Sequence, residues 1–226
     1  MPALKTRRYT LLVMIAGAIA GVFFALGHGR HPGPVPPLLQ FSWPMVIAVV
    51  LICVFSIYWD TAAKGDAPAQ ASESAASRRF HLITLNVGVL ILVLPLPGLT
   101  HRFLPRSHIL IVPGLAIELG GILFAIWARH HLGRNWSGEV RIATGHELIR
   151  SGPYRNIRHP IYTGVLGMYL GAMIVSGEWH ALLGMTIITL AYLRKLRLEE
   201  RILSATFGPP WDDWRRHSWA LLPPLF

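Results

Sequence analysis

The amino-acid sequence predicts an all-α, polytopic membrane bundle of about six spans, and three observations carry that prediction. Of its 226 residues, 53% are hydrophobic and only 14% charged, where soluble domains carry about a quarter charged. The apolar residues gather in windows of about 20, the length a helix needs to cross roughly 30 Å of hydrocarbon. The basic residues cluster at the ends of those windows instead of forming a stripe between aromatic residues. The net charge of +10 therefore reads as membrane topology, and nucleic acid is not an expected partner.

The spans follow in order along the chain. Tyr9 to Leu26, preceded by Lys5, Arg7 and Arg8, has the outline of a signal peptide. It is long for one and further spans follow, so it is read as an uncleaved first helix. Phe41 to Tyr58, Phe80 to Leu96 and Ile109 to Trp127 give three more. Ile161 to Leu193 is too long for one crossing and is interrupted at Ser176-Gly177-Glu178, which predicts a helical hairpin. With the N-terminus in the cytoplasm, eighteen Lys and Arg residues fall on inside segments and three, Arg30, Arg102 and Arg106, fall outside. One long crossing in place of the hairpin would export the basic C-terminus, so the asymmetry supports six spans. The expected location is a bacterial inner membrane, with both termini cytoplasmic.

Residues 1–60 read as an N-terminal pair of helices, 61–79 as a flexible cytoplasmic linker rich in Ala and Ser, and 80–226 as the core. Within the core, the hairpin at 161–193 passes without a breaker into 194–206, which carries Glu199-Glu200, and stops at Gly208-Pro209-Pro210. The last long helix should therefore project beyond the membrane with both acids on its protruding turns. Trp211 to His217 looks like an amphipathic interfacial helix with its tryptophans at headgroup level.

Few polar residues lie inside the spans. Glu118 sits about eleven residues, or roughly 16 Å, from the Arg129 end of its helix, near mid-bilayer. A structural role is expected for it, protonated or paired with another helix. Gly114, Gly120 and Gly121, and Gly164, Gly167 and Gly171, have the spacing of closely packed helices. Cys53 is a lone thiol in an apolar run. The eleven histidines do not fall at metal-ligand spacing: His130 and His131 face different sides of a helix, and His28, His31, His101 and His108 belong to the other membrane face. No metal site is expected.

The long connection 129–160 mixes charge, glycine and aromatic residues, a composition more typical of a functional loop than of a solvated tether. Its last residues enter a helix whose first turn holds Pro160, where a missing N–H costs nothing. The residues alone leave two readings open. Arg158 and His159 can be headgroup anchors, with Tyr154 and Tyr162 in an aromatic belt, or they can line a site. Glu199 and Glu200 can likewise be a solvated face paired with Arg197 or Arg201.

The motifs themselves narrow the choice. Arg158-His159-Pro160-Ile161-Tyr162-Thr163-Gly164, then a hairpin, then Glu199-Glu200, resembles the R-H-P-x-Y-x-G and E-E pattern of the isoprenylcysteine carboxyl methyltransferases and related phospholipid methyltransferases. An upstream element, H-x-L-v-x-x-G-x-Y, is matched by His146, Leu148, Ile149, Gly152 and Tyr154, and Leu132 to Ser137 also looks familial. The resemblance covers about residues 109 to 217. One departure is Pro209-Pro210 after Gly208, where that family carries an acidic pair.

This resemblance implies an S-adenosylmethionine site at the cytoplasmic face, between the Arg-His-Pro turn and the paired acids. It implies cofactor contacts from His146, Leu148, Ile149, Gly152, Tyr154, His159, Pro160, Tyr162 and Glu199, and catalytic roles for Arg158 and Glu200. A guanidinium can hold an acceptor carboxylate bidentately, whereas an acid such as Glu200 suits an amine acceptor. The activity implied is methyl transfer to a lipophilic or prenylated substrate in the membrane, foremost carboxyl O-methylation. Amine N-methylation of a phospholipid is the alternative. A sterol-reductase-like enzyme using NADPH, and a non-catalytic scaffold, are weaker readings.

Overall fold

The computed structural model describes residues 42–62, 69–136, 141–143 and 148–222. The predicted span Tyr9 to Leu26 and His146 lie outside them. Helices α1 (Trp43–Ala62), α2 (Ala75–Val93) and α3 (His108–Leu132) are each long and apolar enough to cross a membrane. The predicted hairpin forms as α4 (Pro160–Ser176) and α5 (Trp179–Phe207), followed by the short α6 (Pro209–Arg216). One small ribbon interrupts the all-helical plan: β1 (Ala69–Ser72) pairs antiparallel with β2 (Arg141–Ala143).

The stretch read as a linker thus holds more structure than its composition implies. Helix α1 runs on to Ala62, and α2 starts at Ala75 behind a Ser74 N-cap whose side chain accepts a bond from the Ser77 N–H. A serine at that position satisfies one of the four orphan donors of a helix start, which composition alone does not reveal.

Helix α4 is central. Twelve of its seventeen residues are buried, which fits a helix apolar on every side. It packs along α3 through glycines: a Cβ added at Gly121 would lie 2.5 Å from the Gly164 carbonyl, and one at Gly171 would lie 2.5 Å from the Glu118 amide. Helices α2 and α5 approach the same way at Gly88 and Gly184. Between lipid-facing helices there is little hydrophobic driving force, so such close backbone contact supplies the packing energy. Gly120 has open space before it and Gly167 only ordinary contact, so four of the six glycines of the stripe serve the close approach.

Glu118 is fully buried where α3 meets α4, and neither carboxyl oxygen has a hydrogen-bond partner among the described residues. Of the two forms expected for it, protonated or paired with another helix, the pairing is not seen among the described residues.

Helix α5, at 29 residues, is about 43 Å long and overshoots a 30 Å hydrocarbon core. Its excess is the charged segment bearing Glu199 and Glu200. Helix ends gather in two layers. Ala62, Ser77, Arg129 and Arg194 meet at one end, through bonds from Arg129 to the Ala62 carbonyl (3.2 Å) and from Arg194 to Ser77 (2.8 Å). At the other end Gly177, with φ +62°, turns the hairpin, and its carbonyl accepts from Phe103 N–H at 2.9 Å.

Candidate active site

The Arg-His-Pro turn is fixed from both sides. Pro160 occupies the first turn of α4 and is fully buried. Behind it, the residues that follow α6 run beside the turn: Arg158 N–H donates to the Trp219 carbonyl (2.8 Å), His159 N–H to Ala220 (3.1 Å), and Trp219 N–H to Asn156 (2.9 Å). The C-terminal segment is therefore a strap on the motif. The α6 tryptophans face the protein and not the headgroups. Trp211 and Trp214 are buried and packed edge to face, 5.2 Å apart. Their three-residue spacing places both on one face, and that face closes on the core instead of on lipid.

Five predicted residues meet in one network. Arg158 Nε donates to Glu200 Oε1 at 2.8 Å, with both side chains largely buried. The His159 ring lies between the two acids, 3.6 Å from Glu199 Oε2 and 3.4 Å from Glu200 Oε1. Tyr162 donates to Glu199 Oε2 at 2.5 Å, and its ring stacks on His159 at 5.3 Å with the planes parallel. Lys195 sits 5.7 Å over the same tyrosine ring. These contacts need α5 to carry its acids past the membrane and back to the start of α4, as the hairpin predicts.

Arg158 is heavily committed. Its Nη1 donates to the carbonyls of Arg215 (3.0 Å) and Ser218, and to the Ser218 hydroxyl (3.2 Å). Two of its three nitrogens thus tie Glu200 to the C-terminal strap. Arg215 adds a longer contact to Glu200 at 3.9 Å.

Burial opposes ionisation of both acids, but their partners prevail. His159 and Arg158 hold Glu200 down at about 2, and His159 and Tyr162 hold Glu199 below its ordinary value. For His159 burial favours the neutral ring, yet the two carboxylates raise its pKa.

The upstream element docks on α3. Gly152, with φ +56°, lies flat on the His131 ring, where any Cβ would come within 2.5 Å of the imidazole. His131 bonds the Ser151 hydroxyl at 2.9 Å and stacks on Tyr154 at 6.4 Å. Leu148 and Ile149 are half-buried against the core. Burial, with the nearby Glu199 adding to it, pushes the Tyr154 hydroxyl above its ordinary range. It remains a donor, buried and without an acceptor among the described residues.

Sequence reasoning missed His131, Ser218 and the strap. The nearest signal was the placement of His131 at the helix end facing the loop; nothing in the pattern marks Ser218. Arg129 was counted only as a topological charge, yet it lies 4.4 Å over Trp136, which in turn meets Trp59 edge to face at 5.2 Å. That contact pins the connecting loop to α1.

The orphaned polar atoms test whether S-adenosylmethionine suits the site. Tyr154 Oη is buried without an acceptor among the described residues, and His159 Nε2 has only a long 3.4 Å contact to Glu200 Oε1. Donors for a carboxylate and acceptors for an amine or hydroxyls are the polar complement of that molecule, so the residues fit.

Residues 114–205 match the isoprenylcysteine carboxyl methyltransferase family. A nickel-cobalt-cadmium resistance protein, NccN, of Alcaligenes xylosoxydans xylosoxydans is 39% identical over 83 residues, 35% of this chain and 37% of that protein. The chain thus spans little more than a third of that relative's length. The solved structure of a eukaryotic intramembrane Ras methyltransferase, an isoprenylcysteine carboxyl methyltransferase, superposes with a TM-score of 0.57 at 17% identity. The match covers 94% of this chain and 74% of that one, and at this identity it is a likeness of fold. The segment 114–205, which holds the network and the hairpin, is the part that resembles the isoprenylcysteine carboxyl methyltransferase family, and the chain shares the membrane fold of that solved structure.

Proposed function

We propose that the chain is an integral membrane methyltransferase that transfers the methyl group of S-adenosylmethionine to a lipophilic acceptor, at the bundle end where Arg158, His159, Glu199 and Glu200 meet. The observation that carries this reading is the linked network of Arg158, Glu200, His159, Glu199 and Tyr162, with the buried Tyr154 hydroxyl left without an acceptor among the described residues. That end is the cytoplasmic face, supported by the eighteen-to-three distribution of basic residues.

When bound, the cofactor supplies a methyl group activated by its sulfonium. The chain's own residues then bind and position. Glu199 and Glu200 accept from the cofactor's amine or hydroxyls and offset its cationic charge. Tyr154 and His159 donate, and His146 joins them from the connecting loop. Tyr162 holds Glu199 in place. Arg158 fixes Glu200 against the C-terminal strap and acts as a positioning residue more than as a two-pronged clamp on the acceptor. In-line transfer gains most from holding donor and acceptor at about 3 Å and excluding water.

Carboxyl O-methylation of the isoprenylcysteine type is the preferred reaction, on the strength of the family. Because two nitrogens of Arg158 are engaged, N-methylation of a phospholipid amine is the second reading. Purified protein given methyl-labelled cofactor with a farnesylated cysteine or with phosphatidylethanolamine separates the two. A label released as methanol by base marks an ester, and a base-stable label marks an amine. Binding of NADPH without binding of S-adenosylmethionine would overturn both.

A further inference from the structure

The opposite end of the bundle holds a cleft that plays no part in the proposed methyl transfer. It is open to the surface and is lined by Ser42, Arg102, Arg106, Glu178 and His180, with Met45 and Val93 among its apolar walls. Its charges do not balance. The Glu178 carboxylate is shared between His180 (3.0 Å) and Arg102 (3.8 Å). Arg106 is exposed and forms no hydrogen bond or ion pair among the described residues. Burial and the neighbouring Arg106 lower the pKa of Arg102, only partly offset by Glu178. Two guanidinium groups lining one cleft beside a single carboxylate leave it net positive and suited to an anion.

One further feature favours the same ligand. The apolar walls come from α1 and α2, both membrane spans with exposed hydrophobic faces. A soluble anion has no use for such walls; a molecule with a phosphate and acyl chains fills both halves of the cleft.

We propose that this cleft binds the phosphate headgroup of an anionic lipid, with Arg106 and Arg102 on the phosphate and Met45 and Val93 against the glycerol and upper acyl chain. The site is separate from the methyl-transfer end, from which α4 divides it by about 25 Å of helix.

Native mass spectrometry of the full chain in detergent tests it, with dilauroyl phosphatidylglycerol and inorganic phosphate as alternative probes. The wild type should retain a phosphatidylglycerol adduct that Arg106→Gln weakens about tenfold, whereas Arg201→Gln, on the other end of the bundle, leaves it unchanged. Millimolar phosphate should compete with the lipid without protecting the protein as well as the lipid does. Equal lipid retention by wild type and Arg106→Gln would overturn the proposal, provided both give the same gel-filtration profile. Protection by phosphate with no retained lipid would overturn the lipid as its source.

Discussion

Both ends of the bundle are closed by arginine, histidine and glutamate, yet they finish differently. At the hairpin turn, His180 spans the Ile91 carbonyl (2.8 Å) and Glu178 (3.0 Å), and Arg102 donates to the carbonyls of Ser176 and Leu104. That latch satisfies its own buried polar groups and leaves its excess charge facing a cleft. At the motif end two acids converge on one histidine, whose Nε2 reaches Glu200 only at 3.4 Å, while Tyr154 Oη is buried with no acceptor among the described residues. An unpaired buried donor costs roughly 1–3 kcal/mol, and a purely structural network would have no reason to keep one. Residue types are thus a poor guide to which end is the site, and between these two ends hydrogen-bond satisfaction separates them better.

Removing the shared acid should give the largest contrast. Glu200→Ala strips Arg158 and His159 of a partner, and methyl transfer per folded molecule should fall by about two orders of magnitude. Stability should fall too, by about 3 kcal/mol, because Arg158 is left as a buried unpaired charge. Glu200→Gln keeps the volume and one acceptor, so it should recover most of the stability and little of the activity. Label transfer and thermal melting of the two variants check this. Full activity in Glu200→Gln would reduce the acid to a structural partner.

The glycine contact that aligns the two ends comes next. Gly164→Ala places a methyl about 2.6 Å from the Gly121 carbonyl and the Ala125 amide, so α3 and α4 must separate. Overpacking of this kind costs about 1–3 kcal/mol. The melting temperature should drop, with cofactor affinity falling in parallel because Arg158 and His159 ride on α4. Gly120→Ala, which meets open space, should change neither.

The pH response distinguishes the ends further. Folded Glu200 holds its proton more weakly than the unfolded chain, so its contribution is complete above its ordinary value of 4.5 and is lost as pH falls toward about 2. Folded His159 holds its proton more tightly. Its contribution is complete below its ordinary value of 6.5 and is lost as pH rises through the higher folded value. Stability should therefore be greatest between about 4.5 and 6.5. A melting series in His159→Asn should lose the decline on the alkaline side.

Much of this architecture is legible in the sequence because it rests on local rules. The spans at 43–62, 75–93 and 108–132 follow apolar windows, and the hairpin turn follows Gly177, whose positive φ only glycine adopts without strain. The approach of Glu199 and Glu200 to the Arg-His-Pro turn follows from helix length and the hairpin. What stayed hidden depends on distant contacts. The strap formed by Ser218 to Ala220 pairs residues about 60 apart by backbone bonds that carry no side-chain signature. The inward turn of Trp211 and Trp214 was illegible for a related reason: an amphipathic face looks the same whether it meets lipid or protein.

The smallest expected effect belongs to the latch. Glu178 is partly exposed, and its pairing with Arg102 is long at 3.8 Å, so Glu178→Gln should cost at most about 1 kcal/mol. An amide still offers an acceptor to His180, which keeps the turn closed. Methyl transfer should be unchanged, because no bond in the motif-end network passes through this residue. Retention of phosphatidylglycerol should rise, since the substitution removes the one carboxylate lining the cleft beside two arginines. A fall in methyl transfer with the melting temperature intact would mean that the two ends are coupled through α4, and that the division between latch and site is too sharp.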